Sequence, residues 1–499
     1  MLGLFGSKSN HPLVDAKEAR RICAELAALD PAASLDEAAS WLESLAGLNE
    51  IPAAVRLKRS LELVTASLPA SRRQARDYLA NPQLSRLEEQ KAWQRNHGYW
   101  TQATHALTRC LADADADPKA ADTLRPQIGM LLAGLLIAQF GCLRWTQLRY
   151  GLIDGAQWAA IGQIYLRATQ EKLAERMLTP FGTAADETTV AQEYLKILIF
   201  HATSMGSLAP LEIALAERFI AHFLPHFVLS AELRPESVYW VDAGKPLPPT
   251  RLAKLPELSP TLRFFGPGQA LAAVQELRAT IAANKALPPE INLGGQPTPA
   301  SLLAVLDHLA ACWSPQPPTR GFPRHRVKSG IGACVGFSTL HGLLTGTDID
   351  QGSIESWVVE DVSQGGMSVK LPLTRNDWMK IGAMVGIQPE GGANWLVGSI
   401  RRFARESETQ GAAGVETLSK TPRAVTVTDG ALHTDMILLD PLRDDSSIRI
   451  VLLASNWEEG VPVQMLVDGR PWRLHPEEIL EAEAEWLMGR CIAESLDPR

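Results

Sequence analysis

Arg320, Arg324, Arg326 and Lys328 fall within nine residues of one another, with His325 among them. A guanidinium donates two parallel hydrogen bonds to a phosphate or to a base edge, and its plane stacks on aromatic rings. The cluster lies in a window, residues 308–347, that holds no aspartate or glutamate. The whole chain has 56 acidic against 48 basic residues and a net charge of −8. A local positive potential in an acidic protein points to an anionic, phosphorylated ligand. The overall acidity argues against nucleic acid or an anionic membrane surface, both of which need excess positive charge. Taken alone, the arginines could equally be a solvated basic linker.

A second group, Asp361-Val-Ser363-Gln-Gly365-Gly366, follows a strand-like run. The carboxylate and hydroxyl offer acceptors and one donor, and the glycines permit a tight turn or a close approach. Alone, this string is a common Asx-type turn.

Other chemistry finds less footing. Ala202-Thr-Ser204-Met-Gly206 has the outline of a nucleophile elbow, but its flanks read as helix rather than as strand then helix. His222 and His226 have the spacing of two metal ligands on one helix face, yet Pro225 interrupts them and no third ligand is evident. No metal site and no cofactor are expected. The six cysteines form no CxxC pair, which fits reduced thiols in the cytoplasm. Glycine-rich phosphate loops are absent.

These residues must be positioned by two unlike halves. A length of 499 residues allows about three domains. Residues 1–313 read as helical. Ser34 to Glu37 has the form of a capping box, and Leu208, Leu211, Leu215, Phe219 and Phe223 make an apolar helical stripe. Thr298-Pro299 opens a last helix toward Trp313. Residues 238–268 read as a proline-rich loop with a strand or two. Trp158, Ile161, Gly162 and Tyr165 match the first helix of a tetratricopeptide unit, but with no second copy an ordinary helical hairpin is the better reading. The longest apolar run, Ile128–Ala138, is short of the ~20 residues needed to span a bilayer, so no stable membrane insertion is expected.

Residues 314–323 form a proline-rich linker that carries the arginine motif. Beyond it, Val- and Ile-rich runs alternate with glycine turns: 331–340, 354–360, 367–371, 383–388, 395–403, 412–418 and 423–428. This spacing predicts a small antiparallel barrel over residues 320–430. Strand-like runs continue at 448–454 and 461–467, Asp468-Gly469 marks a hairpin, and a terminal helix is expected from Pro476 to Ile492 within an extension, residues 431–499. The fold class is α+β and multidomain.

Together, Arg320 and Arg324 before the first strand and Asp361, Ser363 and Gly366 after the second resemble the PilZ domain family. Val385-Gly386, the run from Trp395 to Arg402 and Gly414-Val415-Glu416 extend the resemblance over residues 320–427. It implies a β-barrel that binds cyclic di-GMP. By that analogy, Arg320 and Arg324 contact the phosphates and the guanine Hoogsteen edges, Asp361 and Ser363 hydrogen-bond guanine, and Gly366 permits close approach. Arg326 is added as an auxiliary contact by charge and position. The interval between Arg324 and Asp361 is long for the family, and the glycine-rich stretch 342–352 is expected in a lengthened hairpin. No GGDEF, EAL or HD-GYP string is present, so the chain is expected neither to make nor to degrade the nucleotide. The expectation is a non-enzymatic cytoplasmic receptor. Ligand at the linker would reset the orientation of the two halves, and the helical half would present a surface to an unknown protein partner. The alternative is a helical scaffold whose PilZ-like module binds no nucleotide.

Overall fold

The computed structural model describes residues 10–81, 84–182, 187–288, 291, 297–316, 322–347, 351–373, 379–429, 432–458 and 460–496. Two compact units emerge: Met1–Met205 with Pro210–Pro318, and Gly206–Ala209 with Thr319–Arg499.

The first unit is built on helices α1 (Ala16–Ala28), α2 (Pro31–Gly47), α3 (Ala53–Ala80), α4 (Arg86–Ala116), α5 (Pro118–Leu124), α6 (Ile128–Gln147), α7 (Gly155–Gln170), α8 (Val190–Ala202) and α9 (Pro210–Phe223). Their starts follow local chemistry. Asp15, Asp30, Asp117 and Asp154 accept backbone N–H groups, and Ser85 with Glu88 and Thr189 with Gln192 form reciprocal capping boxes. The expected capping box at Ser34 is not used. Asp30 followed by Pro31 opens α2 one turn earlier, since proline at the first helical position loses no hydrogen bond. Ser34 is therefore inside the helix and buried.

Helix α6 is the core of this unit and packs on α4, α7 and α8. The stretch Pro118–Gln147 is long and apolar enough to cross a membrane by composition, but most of it is buried among its neighbours. At Gly141 a Cβ would lie 2.3 Å from Trp100. Residues 228–266 form a four-stranded sheet, β1 (Val228–Ser230), β2 (Tyr239–Asp242), β3 (Thr250–Arg251) and β4 (Leu262–Gly266), in the order β1-β4-β2-β3. Helices α10 (Ala270–Asn284) and α11 (Pro299–Trp313) complete the unit. Trp158, Ile161, Gly162 and Tyr165 lie on the buried side of α7, and the glycine lets the carbonyl of Ala243 approach closely.

In the second unit, β5 (His325–Val335), helix α12 (Phe337–Thr345), β6 (Glu355–Ser363), β7 (Gly366–Pro372), β8 (Met384–Pro389), β9 (Leu396–Arg405) and β10 (Gln410–Ser419) make a closed antiparallel barrel. Its strand order is β10-β7-β6-β5-β8-β9, with β9 rejoining β10. Residues 337–340, expected as the end of a strand, are helical. Gly336 at φ +100° ends β5, and Phe337, Leu340 and His341 then bury one face of α12. That helix occupies part of the expected long hairpin; Asp348 to Asp350 lie outside the described residues.

A six-stranded antiparallel sheet follows: β11 (Arg423–Asp429), β12 (Leu432–Leu438), β13 (Ser446–Leu453), β14 (Val463–Val467), β15 (Arg470–Ala482) and β16 (Trp486–Ser495), in the order β11-β12-β13-β16-β15-β14. Strand β11, expected at the end of the first barrel, pairs instead with β12. The terminal helix is absent from the described residues. Its span is the hairpin β15–β16, whose register shifts at Pro476/Glu478 and Ile479/Glu481 accommodate the proline.

Gly141→Ala places a methyl group in the Trp100 ring and is expected to destabilise the helical unit by about 1–3 kcal/mol. Thermal unfolding followed by helical circular dichroism measures this; an unchanged midpoint would contradict the close approach.

Candidate functional site

The barrel's inward row is Val359, Val369, Ala413 and Phe403, paired across β6, β7, β10 and β9 and all buried. The adjacent outward row is Asp361, Ser368, Gly414 and Arg402, with Arg326 opposite Asp361 on β5. Five residues from five strands thus line up on the outer surface. At about 4.8 Å per strand the row is roughly 19 Å long. Arginines stand at both ends and small residues in the middle.

That alignment needs irregular strands. By simple alternation Asp361 would share the inward side of Val359. A register shift places Glu360 and Asp361 together against Ser368, which turns Asp361 outward. On β5 a matching shift lies between Arg326 and Ser329. On β9 and β10 another, between Gly414 and Val415, leaves Arg401 as the extra residue beside Arg402.

Arg324 donates from Nη1 to both carboxylate oxygens of Asp361, at 3.0 and 3.2 Å. The arginine side chain is 43% exposed and the aspartate 25%. Ser363 donates to the carbonyl of Gly366 at 3.1 Å across the turn Gln364-Gly365. Its proton is committed there, which leaves its lone pairs as acceptors. Arg326 and Arg402 are exposed and make no ion pair among the described residues. Lys370, further along β7, is neutralised by Glu406 and Glu360, and its hydrogen bonds to them, Glu406 first, raise its pKa. Arg320 lies outside the described residues.

The family resemblance implies ligand approach at Gly366; the structure shows a packing reason for the glycine. A Cβ there would lie 2.1 Å from the carbonyl of Val415, so glycine is needed to pair β7 with β10. Two contributors escaped the sequence reading. Arg402 reaches the row only through the register shift on β9. Phe322, between the two motif arginines and 46% exposed, lies against Gly365; the one available signal was an aromatic residue flanked by arginines.

The competing features form no site. Ser204 has φ +55°, but the residues before it belong to helix α8, so the strand of a nucleophile elbow is missing. His222 lies in the last turn of α9 and His226 in the next short turn. Among the described residues no three potential metal ligands converge. Burial pushes all six thiols up, Cys312 and Cys334 to about 11, so they stay protonated at neutral pH. Trp357 is buried in the barrel and Trp395 is partly buried; Trp378 lies outside the described residues. An open groove of about 400 Å³ elsewhere on the barrel is lined by Glu355 and Glu390 among others, a poor fit for an anion.

Residues 17–235 match a family model described as the N-terminal domain of the cyclic-di-GMP receptor FimW. The match covers much of the helical unit and none of the barrel. No curated protein matches the chain.

Gly366→Ala should force β7 away from Val415, at a cost of about 1–3 kcal/mol. The expected outcome is a lowered unfolding midpoint for the barrel with the helical signal intact. An undisturbed midpoint would contradict that packing role.

Proposed function

We propose that the chain is a cyclic di-GMP receptor whose nucleotide site is the outer face of the first barrel. The observation that carries this reading is the outward Asp361, faced by Arg324 and Arg326 in a row that ends at Arg402. The family match supports the same ligand class from a separate part of the chain. The PilZ-like motif and the helical unit thus converge on one second messenger.

The groups present suit its chemistry. Cyclic di-GMP carries two phosphates and two guanines. Arg324 and Arg326 can each give paired hydrogen bonds to a phosphate or to guanine O6 and N7. Asp361 can accept from the guanine N–H edge, and Ser363 offers an acceptor beside it. The small residues Ser368 and Gly414 leave the middle of the row low enough for a planar base. Arg324 and Asp361 already hold each other, but an exposed ion pair contributes about 0–1 kcal/mol. A charge-assisted hydrogen bond shielded by a bound base is worth about 1.5–3 kcal/mol. The ligand therefore outcompetes the resting pair.

No bond need be made or broken, and the function is read as binding. Arg320 and Arg324 stand on or beside the segment 314–323, which joins the helical unit to the barrel. Ligand contacts there would reset the orientation of the two units, powered by differential affinity for the two arrangements. The helical unit then presents a partner surface. The chain acts in the cytoplasm, where the nucleotide is made.

Calorimetric titration with cyclic di-GMP, with GTP as control, tests the reading. Arg324→Ala and Asp361→Ala should each weaken binding at least about tenfold, and Arg402→Ala several-fold, with unchanged circular dichroism. Unaltered affinity in Arg324→Ala would overturn the site. Absence of binding by the intact chain would favour a scaffold that takes no nucleotide.

A further inference from the structure

Numbered within each sheet, the first barrel runs 1-2-3-6-5-4 and closes by pairing strand 4 with strand 1. The second sheet runs 1-2-3-6-5-4 as well, antiparallel throughout. Its strands 1 and 4, β11 and β14, lie in contact, and Arg423 of β11 pairs with Asp468 beyond β14. All six strands send residues into one core, among them Val425, Met436, Ile450, Met465, Leu474 and Cys491. The second sheet is thus a curled copy of the first barrel's topology, with its last seam unpaired.

The faces differ. In the first barrel the outer side of strands 2, 3, 6 and 5 carries Asp361, Ser368, Gly414 and Arg402. The second sheet has Ile437, Val451, Met488 and Glu481 in the outward row across those strands. Ile437, Val451 and Met488 are buried, together with Leu439 and Trp486, against Cys334, Phe337, Leu340, Met384 and Val397 of the first barrel and α12. One row further toward the β12–β13 turn, Arg449 is bound by Asp440 and Arg490 by Glu478. No arginine on these two rows remains for a phosphate.

The contact is clasped by charge. Arg401, the extra residue beside Arg402, donates from Nη2 to Glu481 at 2.8 Å, from Nη1 to Glu483 at 3.1 Å and from Nε to Glu416 at 2.7 Å. Glu416 stands opposite Gly366.

We infer that the second sheet is a second barrel whose equivalent of the ligand face has become the contact between the two barrels, so that it buttresses the first and the chain holds one nucleotide site. This rests on the proposed nucleotide site for the count of sites; the conversion of the face stands on packing alone. The buttress also gives Glu481 and Glu483 a positioning role. They hold Arg401 and so the irregularity that turns Arg402 outward.

Matched substitutions on strand 3 separate the two faces. Val451→Asp should lower the unfolding midpoint of the intact chain by many degrees, whereas Ser368→Asp at the same place in the first barrel should leave it unchanged and abolish cyclic di-GMP binding. Equal midpoints for the two variants would overturn the conversion of the face, whether or not any nucleotide binds. In titrations, Arg324→Ala combined with Asp361→Ala should leave no saturable binding, and Glu481→Gln with Glu483→Gln should weaken it several-fold. A residual saturable site in the first pair would overturn the single-site inference. Unchanged affinity in the second pair would overturn the positioning role. Absence of binding by the unaltered chain would instead reject the proposed function, and the melting comparison would still decide the inference.

Discussion

A β-strand alternates its side chains, and in a closed barrel this alternation separates core from surface without exception unless a strand carries an extra residue. Asp361 stands at inward parity relative to Val359. Buried there, its carboxylate would face a core of valine, alanine and phenylalanine, and an unpaired charge in such surroundings costs several kcal/mol. The irregularity at Glu360 resolves the conflict and sets Asp361 in the outward row by the same step. Related shifts on β5 and β9 bring Arg326 and Arg402 into line with it. The outward row of Arg326, Asp361, Ser368, Gly414 and Arg402 thus depends on where the ladder of backbone hydrogen bonds is allowed to slip.

The slips must be held in place, because a bulged strand can relax by sliding one residue. Gly366 lets β7 and β10 meet at the distance of a normal ladder, and the amide of Thr417 donates to the carbonyl of Gly365 at 2.9 Å. Arg401 fixes the slip on β9 through three carboxylates, two of them from the second sheet. That sheet is apolar on both sides of β12, β13 and β16. Such strands are stable only when covered on both faces, and the first barrel supplies the second cover.

Much of this was legible in the sequence, within a definite range. Arg324, Asp361, Ser363 and Gly366 sit in short strings, and short strings need only local spacing to be seen. The slips could not be read, because each is a relation between two strands distant in sequence. Adjacent Arg401 and Arg402 look alike in the chain, yet one serves the clasp and the other stands in the outward row. The span 476–492 is rich in Glu, Ala and Leu, which favour helix, and tertiary pairing overrides that preference. Residues 450–453 and 436–439 did carry a signal, a continuous apolar run rather than an alternating one, which marks strands buried on both sides. The helix start at Pro31 was signalled by Asp30 just before it, and Ser34 to Glu37 carries a competing capping-box string one turn later.

Two parts of the chain point to the same nucleotide, the barrel by its surface chemistry and the helical unit by its family match. The proposed contact lies on the barrel. Hydrogen exchange of the intact chain, with and without saturating cyclic di-GMP, locates it most directly. Slowed exchange in residues 322–328, 361–368 and 400–416, with residues 437–452 unaltered, is the expected result. Protection confined to residues 17–235, with the barrel's outer row unaffected, would contradict it.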